Sequence, residues 1–227
     1  MKKIRVPENL TTQAYRRIRE FILEGGMDDR ERLTEEFLAG QLGISKSPIR
    51  EALTRLETEG LLRIEPRRGA YLRKYTTKEA EDLYGLREAL ELHAIRTANI
   101  TPQVVEVLRG HLEHMREHYH DNTKIPWIEE DAAFHNAIAE ATGNKSLLNA
   151  LENLQHQLWL FRRTAYDLSS SNAVVVHEEI VNALERGDRE RAVQLMHEHI
   201  TYSCRQLVAV MSQPRLDAKP SDSKDVA

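Results

Sequence analysis

The sequence predicts a mainly α protein in two parts, an N-terminal winged helix-turn-helix followed by an all-α antiparallel helical bundle. Three observations carry this expectation. Three helix-forming segments open the chain, with only Gly43-Ile44-Ser45-Lys46 between the second and third. A change to strand-like alternation follows over residues 61–73. From about Thr76 the apolar residues recur at helical spacing, interrupted only by short polar breaks.

Thr11–Glu24 spaces Ala14, Ile18, Phe21 and Ile22 along one face and stops at Gly25-Gly26. Thr34 stands where an N-cap belongs, with Glu35 and Glu36 in the following turn and Gly43 just past the end. Ser47-Pro48 reads as an N-cap followed by proline at the first helical position, opening a third helix that closes at Gly60. The short connection before it is the spacing of a helix-turn-helix. Leu61–Glu65 and Ala70–Arg73 read as two short strands joined by the turn Pro66-Arg67-Arg68-Gly69, a wing with arginines at its tip. Six helical segments are then expected, near 77–98, 102–121, 125–141, 144–166, 172–186 and 189–211. Their breaks fall at Thr101-Pro102, Asp121-Asn122, Gly143-Asn144, Ser169-Ser170-Ser171 and Gly187-Asp188. The tail from Ser212 offers little apolar surface and is expected to be disordered. The expected division is 1–75, 76–211 and 212–227.

Composition narrows the classes. Of 227 residues, 30% are charged and 41% hydrophobic, the profile of an ordinary globular protein. No apolar run reaches the roughly 20 residues of a membrane helix, no signal-type apolar core follows Met1, and the lone Cys204 cannot form an internal disulfide. A cytoplasmic location without membrane association is the expectation. Residues 1–75 carry 16 Lys+Arg against 12 Asp+Glu, whereas the remainder carries 16 against 24. A basic head on an acidic body points to a polyanionic partner for the head.

Within the head, Arg50 falls in the first turn of the third helix, just after Ser45, Lys46 and Ser47. From that position an arginine reaches base edges in the major groove and grips guanine with two hydrogen bonds. The hydroxyls and Lys46 suit phosphate oxygens, which fix register without reading sequence. Arg67 and Arg68 on the wing suit the minor groove or the phosphates. The run from Leu33-Thr34-Glu35-Glu36-Phe37 through Leu42-Gly43-Ile44-Ser45-Lys46-Ser47-Pro48-Ile49-Arg50-Glu51-Ala52-Leu53 to Pro66-Arg67-Arg68-Gly69-Ala70-Tyr71-Leu72 resembles the DNA-binding domain of GntR-family regulators. The resemblance implies that Ser45, Lys46, Ser47, Arg50 and Gly69 approach an operator. Two departures stand out: Asp28-Asp29-Arg30 where the family often has Pro-Gly, and Glu36 at a position that is basic in some members.

In the second part, polar residues occupy helix positions that should be core. At 100° per residue, Asp131 and His135 fall within the stripe of Ile128, Phe134 and Ile138. His177 lies amid Ala173, Val174, Ile180, Val181 and Leu184, and His199 amid Leu195, Met196, Tyr202 and Val210. Burying such groups without partners is costly, so they need a shared one. One carboxylate and three imidazoles form a plausible shell for zinc, nickel or manganese with open positions, the alternative being separately satisfied core histidines. Arg87 and Arg162 also lie on apolar stripes and want carboxylates, supplied internally (Glu91 is one turn from Arg87) or by a ligand. His111, His114 and His118 share a helix face but flank its core stripe and read as wet surface.

This half resembles the FCD effector-binding domain carried by one large GntR subfamily. The resemblance rests on Asp82-Leu83-Tyr84-Gly85-Leu86-Arg87 with Leu90-Glu91, on Asp131-x-x-Phe134-His135 before Gly143-Asn144, and on His177-x-x-Ile180, Gly187-Asp188 and His199. It implies metal ligation by Asp131, His135, His177 and His199 and a small carboxylate effector near the metal, and six helices imply the shorter variant of the domain. The whole chain then reads as a ligand-responsive transcription regulator, most often a repressor in such families, binding a palindromic operator as a homodimer. A metal-dependent hydrolase and a metal-stabilised architectural DNA binder are the competing readings.

Overall fold

The computed structural model describes residues 9–27, 31–121 and 124–212. The expected tail, apart from Ser212, and the Asp28-Asp29-Arg30 departure lie outside them. The head begins with α1 (Leu10–Leu23), which Asn9 caps by accepting from the Thr12 amide. Next comes α2 (Glu35–Leu42), capped by Thr34 and ended by Gly43 at φ 66°. The third helix, α3 (Lys46–Thr58), starts earlier than expected: its N-cap is Ser45, not Ser47, and Pro48 sits in its first turn. A proline is tolerated there because the first-turn amides have no helical acceptor to lose.

Two antiparallel strands follow, β1 (Leu62–Glu65) and β2 (Gly69–Leu72), in register Leu62↔Leu72 through Glu65↔Gly69. Their turn closes with the Arg68 amide on the Glu65 carbonyl, 3.0 Å, and Arg67 takes a left-handed φ of 65°. Leu33 adds to this small sheet by exchanging both backbone hydrogen bonds with Ala70, each 2.8 Å. That contact dictates glycine at position 69, because a Cβ there would lie 2.7 Å from the Leu33 carbonyl oxygen at φ 121°. Ile18, Ile22, Ile49, Leu56 and Leu61 form the buried centre of the head.

The body consists of α4 (Thr77–Thr97), α5 (Pro102–His120), α6 (Lys124–Glu140), α7 (Lys145–Glu185) and α8 (Arg189–Ser212). A Thr76/Glu79 capping box starts α4, and Thr101 with Pro102 starts α5. Among the described residues, five helices stand where six were expected, because 144–166 and 172–186 form one continuous α7 of 41 residues. Ser169-Ser170-Ser171 does not break it. Serine costs only a few tenths of a kcal/mol per helical position, and neither glycine nor proline is present to enforce a stop. Ser170 is buried, as are Tyr166, Ala173 and Val174 around it, so packing carries the helix through.

The core of the body runs from Ala80 and Tyr84 on α4 through Phe134, Leu158 and Ile180 to Ile200 on α8. A second apolar cluster joins head to body, since Trp127, Ile128 and Trp159 pack with the residues of α1 and α3. Polar contacts fix this joint. Arg163 donates to the Ile22 carbonyl at the end of α1, 2.7 Å, and Tyr75 donates to the Gly60 carbonyl, 2.9 Å. Arg19 of α1 pairs with Glu129 of α6 at 3.0 Å while its guanidinium lies over the Trp159 ring. Among the described residues, no helix is long and apolar enough to cross a membrane.

Candidate metal centre and candidate DNA-facing surface

Three helices aim buried polar side chains at one point in the body. From α6 come Asp131 and His135, one turn apart; His177 comes from α7 and His199 from α8. All four are buried, and one ligand atom of each lies within 4.8 Å of the others. His177 Nε2 is 3.3 Å from His199 Nε2, and Asp131 Oδ1 is 3.9 Å from Nε2 of both His135 and His177. Ligands at about 2.0–2.2 Å from one ion stand roughly 3–4 Å apart, so these three separations suit a single metal ion, while the widest pairs of the set, within 4.8 Å, would have to close and Arg87 to leave His135 Nε2. Phe134 stacks on the His177 ring, centroids 4.3 Å apart, and fixes its plane.

The histidines are disposed to bind as neutral imidazoles. Burial drives the His177 pKa down to about 4 and takes His135 and His199 well below the ordinary range. Their lone pairs are therefore available near neutrality, as metal binding requires. Burial alone would raise the Asp131 carboxyl. Arg162, followed by His135 and His177, outweighs it and holds the group below its usual value.

Around these four lies a ring of buried charge. The two Arg87 nitrogens Nε and Nη2 reach Glu91 Oε1 and His135 Nε2, each at 2.7 Å. With His135 neutral, that second contact has the guanidinium donating into the imidazole lone pair. Glu91 Oε2 lies 2.6 Å from His135 Nδ1, at an angle short of a regular hydrogen bond. A small rotation would give the carboxylate–imidazole pair that orients metal-bound histidines. Arg162 Nε donates to Asp131 Oδ2 at 2.6 Å, and both Arg162 Nη groups are buried without an acceptor. The expected Arg87–Glu91 pair is thus present. The Arg162–Asp131 pair was missed, although two opposite charges on facing interior stripes were the signal for it. His111, half-buried, and the exposed His114 lie apart from this centre, against Glu130 at 2.6 and 3.5 Å.

In the head, Ser45, Lys46, Ser47 and Arg50 are exposed at the opening of α3, and Arg67 and Arg68 are exposed at the wing turn. Arg50 lies on Glu35 as a fork, Nε to Oε1 and Nη2 to Oε2 both at 2.8 Å. Lys46 pairs with Glu36, the unusual acidic position in α2. Arg68 leans on Glu65 of its own hairpin at 3.3 Å, and Gly69 is half-buried under Leu33. The first-turn carboxylates of α2 as partners for the α3 cations were not foreseen. They follow from Thr34 capping α2 beside the start of α3.

Comparison with known proteins agrees with both halves. Residues 10–72 match the model of the bacterial regulatory proteins of the gntR family, and residues 82–202 match the FCD domain. An HTH-type transcriptional regulator of Bacillus subtilis is 27% identical over 216 residues, covering 93% of this chain and 96% of the relative. The HTH-type transcriptional repressor RspR of Escherichia coli is 26% identical over 192 residues, covering 83% and 84%. The solved structure of a GntR transcriptional regulator from Rhodococcus sp. RHA1 superposes with TM-score 0.75 at 22% identity, over 88% of this chain and 97% of that one, a likeness of fold. The match to regulators along the whole body leaves no place for the hydrolase reading. The chain belongs to the GntR family of bacterial regulatory proteins, with an FCD domain behind the helix-turn-helix, and is a DNA-binding transcriptional regulator rather than an enzyme.

Proposed function

We propose that this regulator senses a small carboxylate beside a divalent transition metal (zinc, nickel or manganese) held by Asp131, His135, His177 and His199. The observation that carries the reading is Arg162: its Nε is spent on Asp131 while both Nη groups point at no acceptor inside a closed, polar centre. A guanidinium edge with two free N–H groups matches the two oxygens of a carboxylate. Charge favours the same ligand. Arg87 and Arg162 cancel Asp131 and Glu91, so a divalent ion leaves the centre two charges positive. Metal ligation would also take the His135 lone pair that Arg87 Nη2 now occupies, turning that donor toward an incoming anion.

In the head, Arg50 enters the major groove and reads guanine, Ser45, Lys46 and Ser47 beside it meet phosphate oxygens, and Arg67, Arg68 and the backbone at Gly69 meet the phosphates or the minor groove. A homodimer would place two such heads on a palindromic operator about one helical turn apart, and the protein acts as a repressor. The acid alters affinity through the joint: Arg162, at the centre, is followed on α7 by Arg163, which holds the end of α1.

The test is a titration of small mono- and dicarboxylates into metal-loaded protein bound to operator DNA, with metal content measured in parallel. About one metal ion per chain is expected, together with an acid-dependent change in operator affinity. Arg87→Ala should weaken the acid response by up to a few kcal/mol with metal and DNA binding intact. Equal acid affinity with a lower melting point would make Arg87 structural, and no response to any acid would leave an architectural DNA binder.

A further inference from the structure

The buried side-chain nitrogens and oxygens without a hydrogen-bond partner, among the described residues, fall mainly into two groups. One surrounds the metal centre: Glu91, His135, Arg162 and His177. The other has no role in the reading above. It comprises both amide atoms of Gln155, Asn136 Oδ1, His156 Nδ1 and Trp159 Nε1, with Arg19 Nε behind the Trp159 ring. Buried polar atoms are nearly always satisfied, so five residues unmet in one place call for a partner.

All of these but Arg19 line a groove of about 400 Å³ between α6 and α7, with the exposed Glu129 and Glu152 at its rim. It opens on a different face of α6 from the metal centre. At 100° per residue, Asn136 is roughly 100° around the helix from His135, and Glu129 is farther still from Asp131. Gln155 is 2% exposed and offers a donor and an acceptor side by side. Asn136 adds an acceptor and the Trp159 indole a donor. Adjacent donors and acceptors suit hydroxyl groups, each of which gives and takes one bond. The rim carboxylates can accept from hydroxyls but repel anions. Arg19, against the Trp159 ring, is already engaged by Glu129, and Arg162, two turns along α7 on the face of Gln155, by Asp131. Burial also holds His156 toward its neutral form.

We propose that the α6–α7 groove is a second small-molecule site, independent of the metal centre, that takes an uncharged polyhydroxyl compound such as a monosaccharide or cyclitol. Its charge preference is the reverse of that of the metal centre. Its location gives it a consequence, because Trp159 and Glu129 are the two body residues that hold Arg19 of α1.

Full-length ¹⁵N-labelled protein tests this, since Trp127 and Trp159 are the only tryptophans and give two indole signals that Trp127→Phe assigns. The probes are D-glucose, D-xylose and myo-inositol, with D-glucuronate as the charged control. The expected result is a saturable shift of the Trp159 signal with at least one neutral probe, none with D-glucuronate, and the same response after metal removal with EDTA. Gln155→Leu should weaken that binding by about tenfold or more, as deletion of a buried hydrogen-bonding group does. Asn136→Ala, a milder change, serves if the first variant fails to fold. No saturable shift with any neutral probe, an equal response to D-glucuronate, loss of the response with EDTA, or full affinity in a folded variant would overturn the proposal.

Discussion

In the head, Arg50 rests on Glu35 with the arginine side chain 67% exposed; in the body, Arg162 rests on Asp131 with the two side chains 6% and 5% exposed. Both are guanidinium–carboxylate contacts shorter than 3 Å, yet they behave as different objects. An exposed pair contributes about 0–1 kcal/mol and exchanges readily with water. Arg50 can therefore leave Glu35 for a base edge at little cost. A buried pair is weakly stabilising while intact but costly to break, because one charge is left without solvent or partner. The body can exchange partners around Arg162 and Asp131, not lose them. Burial alone thus makes two pairs of the same chemistry behave differently.

Asp131→Ala attacks the contrast at its strongest point. It strands Arg162 in the interior, and apo-protein stability in urea should fall by about 3–5 kcal/mol, with metal binding lost as well. Glu35→Ala removes the corresponding partner in the head and should change stability by no more than about 1 kcal/mol. Similar losses in the two variants would mean that burial is not what separates the pairs.

Acid probes the same difference without mutation. A histidine titrates near 6.5 in the unfolded chain, whereas burial drives His177 to about 4 in the native state and displaces His135 and His199 the same way. Between those values the unfolded chain binds protons that the native chain refuses. Stability is therefore complete above about pH 6.5 and falls as pH drops toward 4, with His177 alone accounting for about 3 kcal/mol. Residues 1–75 contain no histidine, so the head contributes no imidazole to this loss. Urea unfolding of chelator-treated protein across that range measures it, and metal should dissociate over the same interval as protons compete for the imidazoles. A flat stability profile would show that the imidazoles are not held neutral by burial.

How much of this was legible in the sequence follows the same division between local and tertiary signals. Caps and stripes are local, so Thr34, Gly43, Thr101-Pro102 and the inward positions of Asp131, His135, His177 and His199 could be read directly. The serines of α7 misled because serine weakens a helix only slightly, and the buried neighbours that keep it intact come from other elements. Ser45 rather than Ser47 as the α3 cap was a two-residue ambiguity, since both precede an acceptable first turn. The partners of Arg162 and Arg50 lie 31 and 15 residues away in sequence, and only the packing of α6 on α7 and of α2 on α3 selects Asp131 and Glu35. The joint of Arg19, Trp159 and Arg163 left no periodic trace, because one ring and two guanidinium groups meeting across domains make no pattern along the chain.

The exposed contacts of the head lead to a smaller effect, seen only with DNA present. Arg50→Ala should leave the fold unchanged, since the side chain is 67% exposed and its ion pair with Glu35 lies at the surface, and should remove about 1–3 kcal/mol of discrimination between operator and scrambled DNA. Parallel binding isotherms on the two DNAs decide the matter. Preserved discrimination would assign sequence reading to another residue.

The smallest effect is expected at the wing. Arg68 is 75% exposed and its contact with Glu65 is 3.3 Å, longer and more open than the Arg50 fork. It carries one charge at the tip of a hairpin whose backbone is fixed by the Leu33–Ala70 hydrogen bonds, so its removal leaves the wing in place. If that charge meets a phosphate, Arg68→Ala should weaken operator and scrambled DNA alike. It should also reduce the slope of log affinity against log salt by about one per head, the counterions of one phosphate no longer being released. Discrimination should stay at the wild-type value, the reverse of the Arg50 result. A binding series over a range of salt on both DNAs distinguishes the roles: an unchanged slope with lost discrimination would move Arg68 from the phosphates into a base-reading groove.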